Sequence, residues 1–312
     1  MKKEQLRVLF MGTPSIAAKV LKNMLADGFN IVGVVAQPDK PVGRKGLLEE
    51  VPTKIVAKEN NIPVYQPIKI KLDYEFVKEI NPDVIVTIAY GQIVPQGLLD
   101  IPKYGCLNLH GSLLPKLRGA SPIQTAIING ETISGITLME MIDKMDAGKM
   151  FAKEIVEILP EDNTTTLFEK MGDAASNLII RELPNYIDGN LLGEEQNEEE
   201  VTYCHMIKSE EEKLNLSLTC QEIINWIRGL ADEPGAYLLE NGHKFKIYKS
   251  KKVNDDFTSK VGTIVKCDKF GLHLQCKDGQ IALLEVQKEG KKRMDYKSFV
   301  NGNQNFINTI LQ

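Results

Sequence analysis

The strongest constraint on the fold is a succession of short, mainly apolar runs separated by segments in which apolar residues recur at helical spacing. Residues 7–11 make a strand-length run that breaks at Gly12-Thr13-Pro14-Ser15, and Ile16, Val20, Leu21, Met24 and Leu25 then follow along one helix face. Asp27-Gly28 closes that helix, and residues 31–36 are a second apolar strand. The pattern repeats with residues 53–60 as helix, 64–66 extended, 74–80 as helix and 83–89 as a continuous apolar strand. Residues 121–129 read as helix and 133–142 as a further strand. Strands this apolar are covered on both faces, as in parallel sheets flanked by helices. The expectation is an α/β domain with a Rossmann-like, doubly wound, mostly parallel sheet, in which ligands bind beyond the carboxyl ends of the strands. The Gly12-Thr13-Pro14 turn has no G-x-G-x-x-G and reads as a tight strand-to-helix turn rather than a nucleotide fingerprint.

A long helical pattern over residues 164–188 ends in a polar, acidic stretch, Gly193-Glu194-Glu195-Gln196-Asn197-Glu198-Glu199-Glu200, that has no periodicity. This divides the chain of 312 residues into a domain over 1–189, an acidic linker over 190–207 and a second domain over 208–312. The second opens with a helix over 220–230 carrying the sole tryptophan, Trp226. Short strand-like runs at 244–248, 262–265, 272–276 and 280–286, separated by turns such as Lys277-Asp278-Gly279, suggest a smaller OB-like antiparallel β-barrel.

Charge is uneven. The chain carries a net −4, yet from Lys208 onward 17 Lys and Arg face 14 Asp and Glu, a mild basic bias that suits a polyanionic partner. The five cysteines, Cys106, Cys204, Cys220, Cys267 and Cys276, form no C-x-x-C pair and read as reduced, packed thiols rather than disulfides or zinc ligands. His205, His243 and His273 stand apart from any metal-ligand spacing, so no metal is expected. No apolar run approaches membrane-spanning length and no signal-peptide pattern is present, so a cytoplasmic protein with no membrane association is expected; a monomer is expected as well.

The chemistry concentrates in Cys106-Leu107-Asn108-Leu109-His110-Gly111-Ser112-Leu113-Leu114-Pro115 and the following Arg118-Gly119-Ala120-Ser121-Pro122. Residues two apart on a strand project the same way, so Asn108 and His110 reach one point. An amide donates two hydrogen bonds and an imidazole donates one or exchanges a proton, which suits an oxyanion developing on a carbonyl carbon. Asp143 and Asp146 both follow a strand, and either carboxylate can orient His110; spacing alone does not choose between them.

The Asn108–Pro115 motif, with Arg118-Gly119-Ala120-Ser121-Pro122 and Asp146-Ala147-Gly148, resembles the 10-formyltetrahydrofolate-dependent formyltransferase family. The resemblance implies a formyltransferase domain over 1–189 and a catalytic trio of Asn108, His110 and Asp146. It implies that Ser112, Leu113, Leu114 and Pro115 contact the folate co-substrate, and that Tyr90-Gly91-Gln92-Ile93-Val94 forms the loop beside the pterin. Residues 37–48, with Lys40, Arg44 and Lys45, resemble the insertion with which tRNA-formylating members approach the acceptor end. The segment ends in Leu48-Glu49-Glu50-Val51-Pro52-Thr53-Lys54, where those members often carry a basic run and Ser-Pro. The implied reaction moves a formyl group from 10-formyltetrahydrofolate to the α-amino group of methionyl-initiator-tRNA, with 208–312 as the OB-like tRNA-binding domain. The basic clusters Lys249-Ser250-Lys251-Lys252 and Lys288-Glu289-Gly290-Lys291-Lys292-Arg293 suit contacts to a phosphate backbone. A formyltransferase acting on glycinamide ribonucleotide or an amino sugar would share the trio but has no need of the 38–48 loop or a basic second domain. A non-catalytic nucleic-acid-binding protein leaves the trio unexplained.

Overall fold

The computed structural model describes residues 2–42 and 46–312. The chain divides into two compact units, one of Met1–Pro122, Ile133–Glu157 and Phe168–Cys204, the other of Ile123–Thr132, Ile158–Leu167 and His205–Gln312.

The strands of the first unit are, in chain order, β1 (Val8–Gly12), β2 (Ile31–Val35), β3 (Lys40–Val42), β4 (Leu47–Glu49), β5 (Val64–Tyr65), β6 (Val84–Ile88), β7 (Cys106–His110), β8 (Arg118–Gly119), β9 (Ile133–Glu140), β10 (Met150–Glu157) and β11 (Tyr203–Cys204). The helices that accompany them are α1 (Ser15–Ala26), α2 (Pro52–Glu59), α3 (Glu75–Ile80), α4 (Gln96–Leu99), α5 (Pro122–Ile128) and α6 (Thr164–Ile187). Seven strands form one sheet in the order β10-β9-β7-β6-β1-β2-β5. The run from β7 to β5 is parallel throughout, whereas β9 is antiparallel to β7 and β10 to β9. Strand order reverses between β1 and β6, and in such a sheet the crevice for a ligand opens at the carboxyl ends of those central strands.

Every residue of β1 and β6 is buried, as sequences apolar but for Thr87 require. Leu9, Met11, Ile85 and Cys106 pack with Val77 and Ile80 of α3 and Leu98 and Leu99 of α4. Each such side chain contributes about 1.5–3 kcal/mol when fully withdrawn from water. Cys106 therefore sits in the core as a small hydrophobe, and burial pushes its thiol well above the ordinary range.

The acidic stretch departs from the linker expectation. Up to Cys204 it belongs to the first unit: Glu194 exchanges backbone hydrogen bonds with Met150, Gln196 is buried, and β11 pairs with β8. The physical reason is Arg118, whose fully buried guanidinium needs acceptors and finds them in Gln196 and Glu198.

The second unit holds α7 (Cys220–Leu230), β12 (Ala236–Glu240), β13 (His243–Asn254), β14 (Ile264–Asp268), β15 (Gly271–Cys276), β16 (Gly279–Lys288), β17 (Met294–Asp295) and α8 (Tyr296–Asn301). Thr219 and Glu222 cap α7 reciprocally. The antiparallel sheet runs β12-β13-β16-β15-β14, with β17 on β16. Its core gathers Ile223, Ile227, Phe245, Ile247, Leu272, Leu283, Phe299 and Phe306. The expected barrel is not closed strand on strand, since β12 and β14 are not neighbours. Residues 308–312 satisfy both outer edges instead. Asn308, Thr309 and Leu311 bond Ile264 and Gly262 on the β14 side, and Gln312 exchanges two bonds with Leu239 of β12. Arg228 of α7 reaches the carbonyls of Leu159 and Asp162, which draws residues 158–167 into this unit.

Candidate active site

β7 delivers Asn108 and His110 to one face, two residues apart, at the carboxyl end of a parallel strand flanked by β6 and β9. His110 is 5% exposed. Its Nε2 lies 2.9 Å from the carbonyl oxygen of Leu117 and its Nδ1 lies 3.6 Å from Asp146 Oδ1. A carbonyl only accepts, so Nε2 carries a hydrogen and Nδ1 is the ring nitrogen that faces the Asp146 carboxylate. The Asn108 carboxamide is half-buried and has no hydrogen-bond partner among the described residues, which leaves its N–H groups for a ligand.

Asp146, rather than the exposed Asp143, stands beside His110. Its backbone is left-handed, with φ 52°, and its Oδ2 accepts from the Gly119 N–H at 2.9 Å. Gly119 itself has φ 124°, and a Cβ built there would fall 2.0 Å from the Cys204 carbonyl oxygen, so the close β8–β11 pairing requires glycine. Gln196 donates to the carbonyls of Asp146 (2.8 Å) and Gly148 (2.9 Å), and accepts from Arg118 Nε at 2.9 Å. Arg118 Nη2 donates to Glu198 at 2.9 Å, and the guanidinium and Lys144 together hold that exposed carboxyl below the usual range.

The loop over Ser112–Pro115 is tied down from within. Ser112 Oγ donates to Lys116 O at 2.6 Å, Thr137 Oγ1 donates to Ser112 O at 2.7 Å and accepts from Leu114 N at 3.1 Å, and Leu114 packs against Met139 and Met150. Ser112 and Leu114 thus support the loop, whose Ser112, Leu113 and Leu114 carbonyls accept from Thr137, Lys116 and Lys153, while the Leu113 side chain is half-buried. The loop of residues 90–94 follows β6 at the crevice, where Tyr90 O accepts from Thr13 and Gln37, and Gln92 accepts from Ile70 N.

Lys40 is exposed on β3, which pairs with β4 in a hairpin whose base is pinned by Asp39 through Lys54, Gln66 and the Val51 N–H. The other two cations proposed for the acceptor end, Arg44 and Lys45, lie outside the described residues. In the second unit Lys249, Lys251, Lys291 and Lys292 are exposed, while Arg293 is engaged by Asp232 and Glu285 and lies over the Tyr248 ring. Among the described residues no three His, Cys, Asp or Glu side chains converge as a metal site, and no helix is long and apolar enough to cross a membrane.

Thr137, Gln196, Thr202 and Arg118 are the supports that sequence reasoning did not assign. Thr202 receives the Leu117 and Arg118 N–H groups. Only Arg118 carried a signal, as a cation inside a motif.

Two family profiles match, Formyl transferase over residues 5–183 and Formyl transferase, C-terminal domain over 206–304, so the chain is a formyl transferase. Methionyl-tRNA formyltransferase of Bacillus subtilis (strain 168) is 45% identical over 95% of this chain and 94% of its own length, and that of Bacillus cereus (strain B4264) is 43% identical over 98% of each. The chain belongs to the methionyl-tRNA formyltransferase family. Among solved structures, HypX from Aquifex aeolicus in complex with tetrahydrofolic acid superposes with a TM-score of 0.68 at 14% identity, covering 97% of this chain and 48% of HypX. The N-formyltransferase from Helicobacter canadensis in complex with folinic acid and dTDP-3-aminofucose gives 0.67 at 23% identity, covering 91% and 100%. These two likenesses are of fold.

Proposed function

We propose that the protein transfers the formyl group of 10-formyltetrahydrofolate to the α-amino group of methionine esterified to initiator tRNA. The observation that carries this reading is the free Asn108 carboxamide on the face of β7 where Asp146 approaches His110 Nδ1. The folate supplies an activated formyl carbon bonded to N10. Asn108 donates to the formyl oxygen as negative charge develops there, and a preorganised donor of this kind is worth roughly 10²–10³ in rate. His110 Nδ1 takes the proton that the attacking amine releases, and Asp146 stabilises the resulting imidazolium. His110 then returns that proton to N10 as the formyl carbon leaves it, so the products are the formamide and tetrahydrofolate with no net proton uptake. Esterification lowers the basicity of the amine, so more of it is uncharged near neutral pH.

Ser112, Leu113, Leu114 and Pro115 would line the folate. Lys40, Arg44 and Lys45 would meet the acceptor end, and the exposed lysines of an OB-like 208–312 domain would follow the sugar-phosphate chain with little base reading. A monomer in the cytoplasm, where charged tRNA is used, completes the reading.

The test is incubation with 10-formyltetrahydrofolate and either initiator or elongator methionyl-tRNA, followed by analysis for N-formylmethionine. Product on the initiator and an Asn108→Ala single-turnover rate lower by about 10²-fold or more, with KM held, support the proposal. Wild-type single-turnover transfer by Asn108→Ala would discard it.

A further inference from the structure

Asp146 is a non-glycine residue in left-handed backbone, a conformation that persists only where neighbours over-determine it. Two donors hold it. One is the Gly119 N–H on its carboxylate; the other is the Gln196 carboxamide, whose NH₂ group spans the Asp146 and Gly148 carbonyls across the turn. Gln196 is 8% exposed, and its orientation is unambiguous because its oxygen receives Arg118 Nε. Arg118 is 0% exposed; its Nε donates to Gln196, its Nη2 to the exposed Glu198 carboxylate, and its Nη1 has no partner among the described residues, so Gln196 is its buried acceptor. The chain Arg118–Gln196–Asp146 thus runs from a buried cation to the turn that faces His110 Nδ1 at 3.6 Å.

We propose that Gln196 is a positioning residue for formyl transfer: held by Arg118, its carboxamide fixes the Asp146 turn and so sets the carboxylate against His110. The proposal rests on the reading of Asp146 given above. Gln196 touches neither substrate in this account. It acts through two backbone carbonyls, and a displacement of about 1 Å at a catalytic group costs up to about 10²-fold in rate.

Gln196→Glu separates the two halves of the bridge, because a carboxylate still accepts from Arg118 but has no hydrogen to give the carbonyls. Its melting temperature should stay near wild type, its KM for each substrate within about twofold, and its kcat should fall by about 10–10²-fold. The decisive measurement is a double-mutant cycle with Asp146→Asn. If Gln196 works through Asp146, the double variant is no more than about threefold slower than Asp146→Asn alone. Losses that multiply, or a Gln196→Glu kcat within twofold of wild type, would overturn the proposal. Should Gln196→Glu not fold, Gln196→Leu enters the same cycle with the same criteria. Full activity of Asp146→Asn itself would reject the catalytic reading, and the proposal with it, whereas an impaired Asp146→Asn beside an unimpaired Gln196→Glu rejects the positioning role alone.

Discussion

His110 Nε2 lies 2.9 Å from the Leu117 carbonyl oxygen, and this bond decides which ring nitrogen faces the Asp146 carboxylate. The tautomer is set by the backbone of the loop that carries the motif onward from β7. Asp146→Asn keeps an acceptor for the Gly119 N–H, yet it can place an NH₂ group against Nδ1, where a negative oxygen now stands. The expected outcome is a kcat at least about 10²-fold lower with near-normal folding, measured by single-turnover formylation and by circular dichroism.

Gly119→Ala tests the packing beneath the site. The added methyl meets the Cys204 carbonyl oxygen at 2.0 Å in a backbone region that side chains rarely adopt, so β11 must move away from β8. Strain plus clash should cost about 2–4 kcal/mol of stability. Activity should fall further than stability alone explains, since the Gly119 N–H also leaves Asp146; calorimetry and the formylation rate on one preparation measure the two effects.

Asp268 in the second unit governs part of the acid limit. The Phe270 N–H, then His273 and Lys266, hold its carboxyl low, at about 2. A carboxyl lowered on folding stabilises the native state above its unfolded value of about 3.9 and loses that contribution as pH falls from there through 2. Asp268→Asn should therefore lower the melting temperature at pH 7, and the gap from wild type should shrink toward pH 2. A gap independent of pH would contradict this.

Thiol accessibility gives a fourth check. Cys106, Cys204, Cys220 and Cys276 are buried and Cys267 is half-buried. Burial raises Cys220 to about 11 and lifts Cys267, Cys106 and Cys276 as well. Native protein at pH 8 should react with a disulfide reagent slowly, at Cys267 first, and denatured protein at all five thiols.

Most of the first unit was readable from apolar runs, because buried parallel strands announce themselves through composition. β10 was not, since this edge strand leaves Lys153, Glu154 and Ile155 outside the core and so shows neither an apolar run nor a clean alternation. Asn108 and His110 were readable from strand parity. Asp146 was separable from Asp143 only through the family resemblance, because turn chemistry favours both. Gln196 was invisible: its burial is imposed by a cation far earlier in the chain, and neighbouring glutamates give it the look of a solvated segment. The edges of the second sheet were likewise hidden, as nothing local in residues 308–312 announces that they satisfy both β12 and β14.

The pairing of β11 with β8 also orders events on the ribosome. Asn108, His110 and Asp146 leave the exit tunnel well before residues 194–204, which carry the groups that brace the aspartate turn. A nascent chain arrested between them displays the whole signature motif and yet lacks the strut that squares it. A product that ends there, short of Cys204, therefore carries Asn108, His110 and Asp146 without Gln196 and without the strand that pairs with β8.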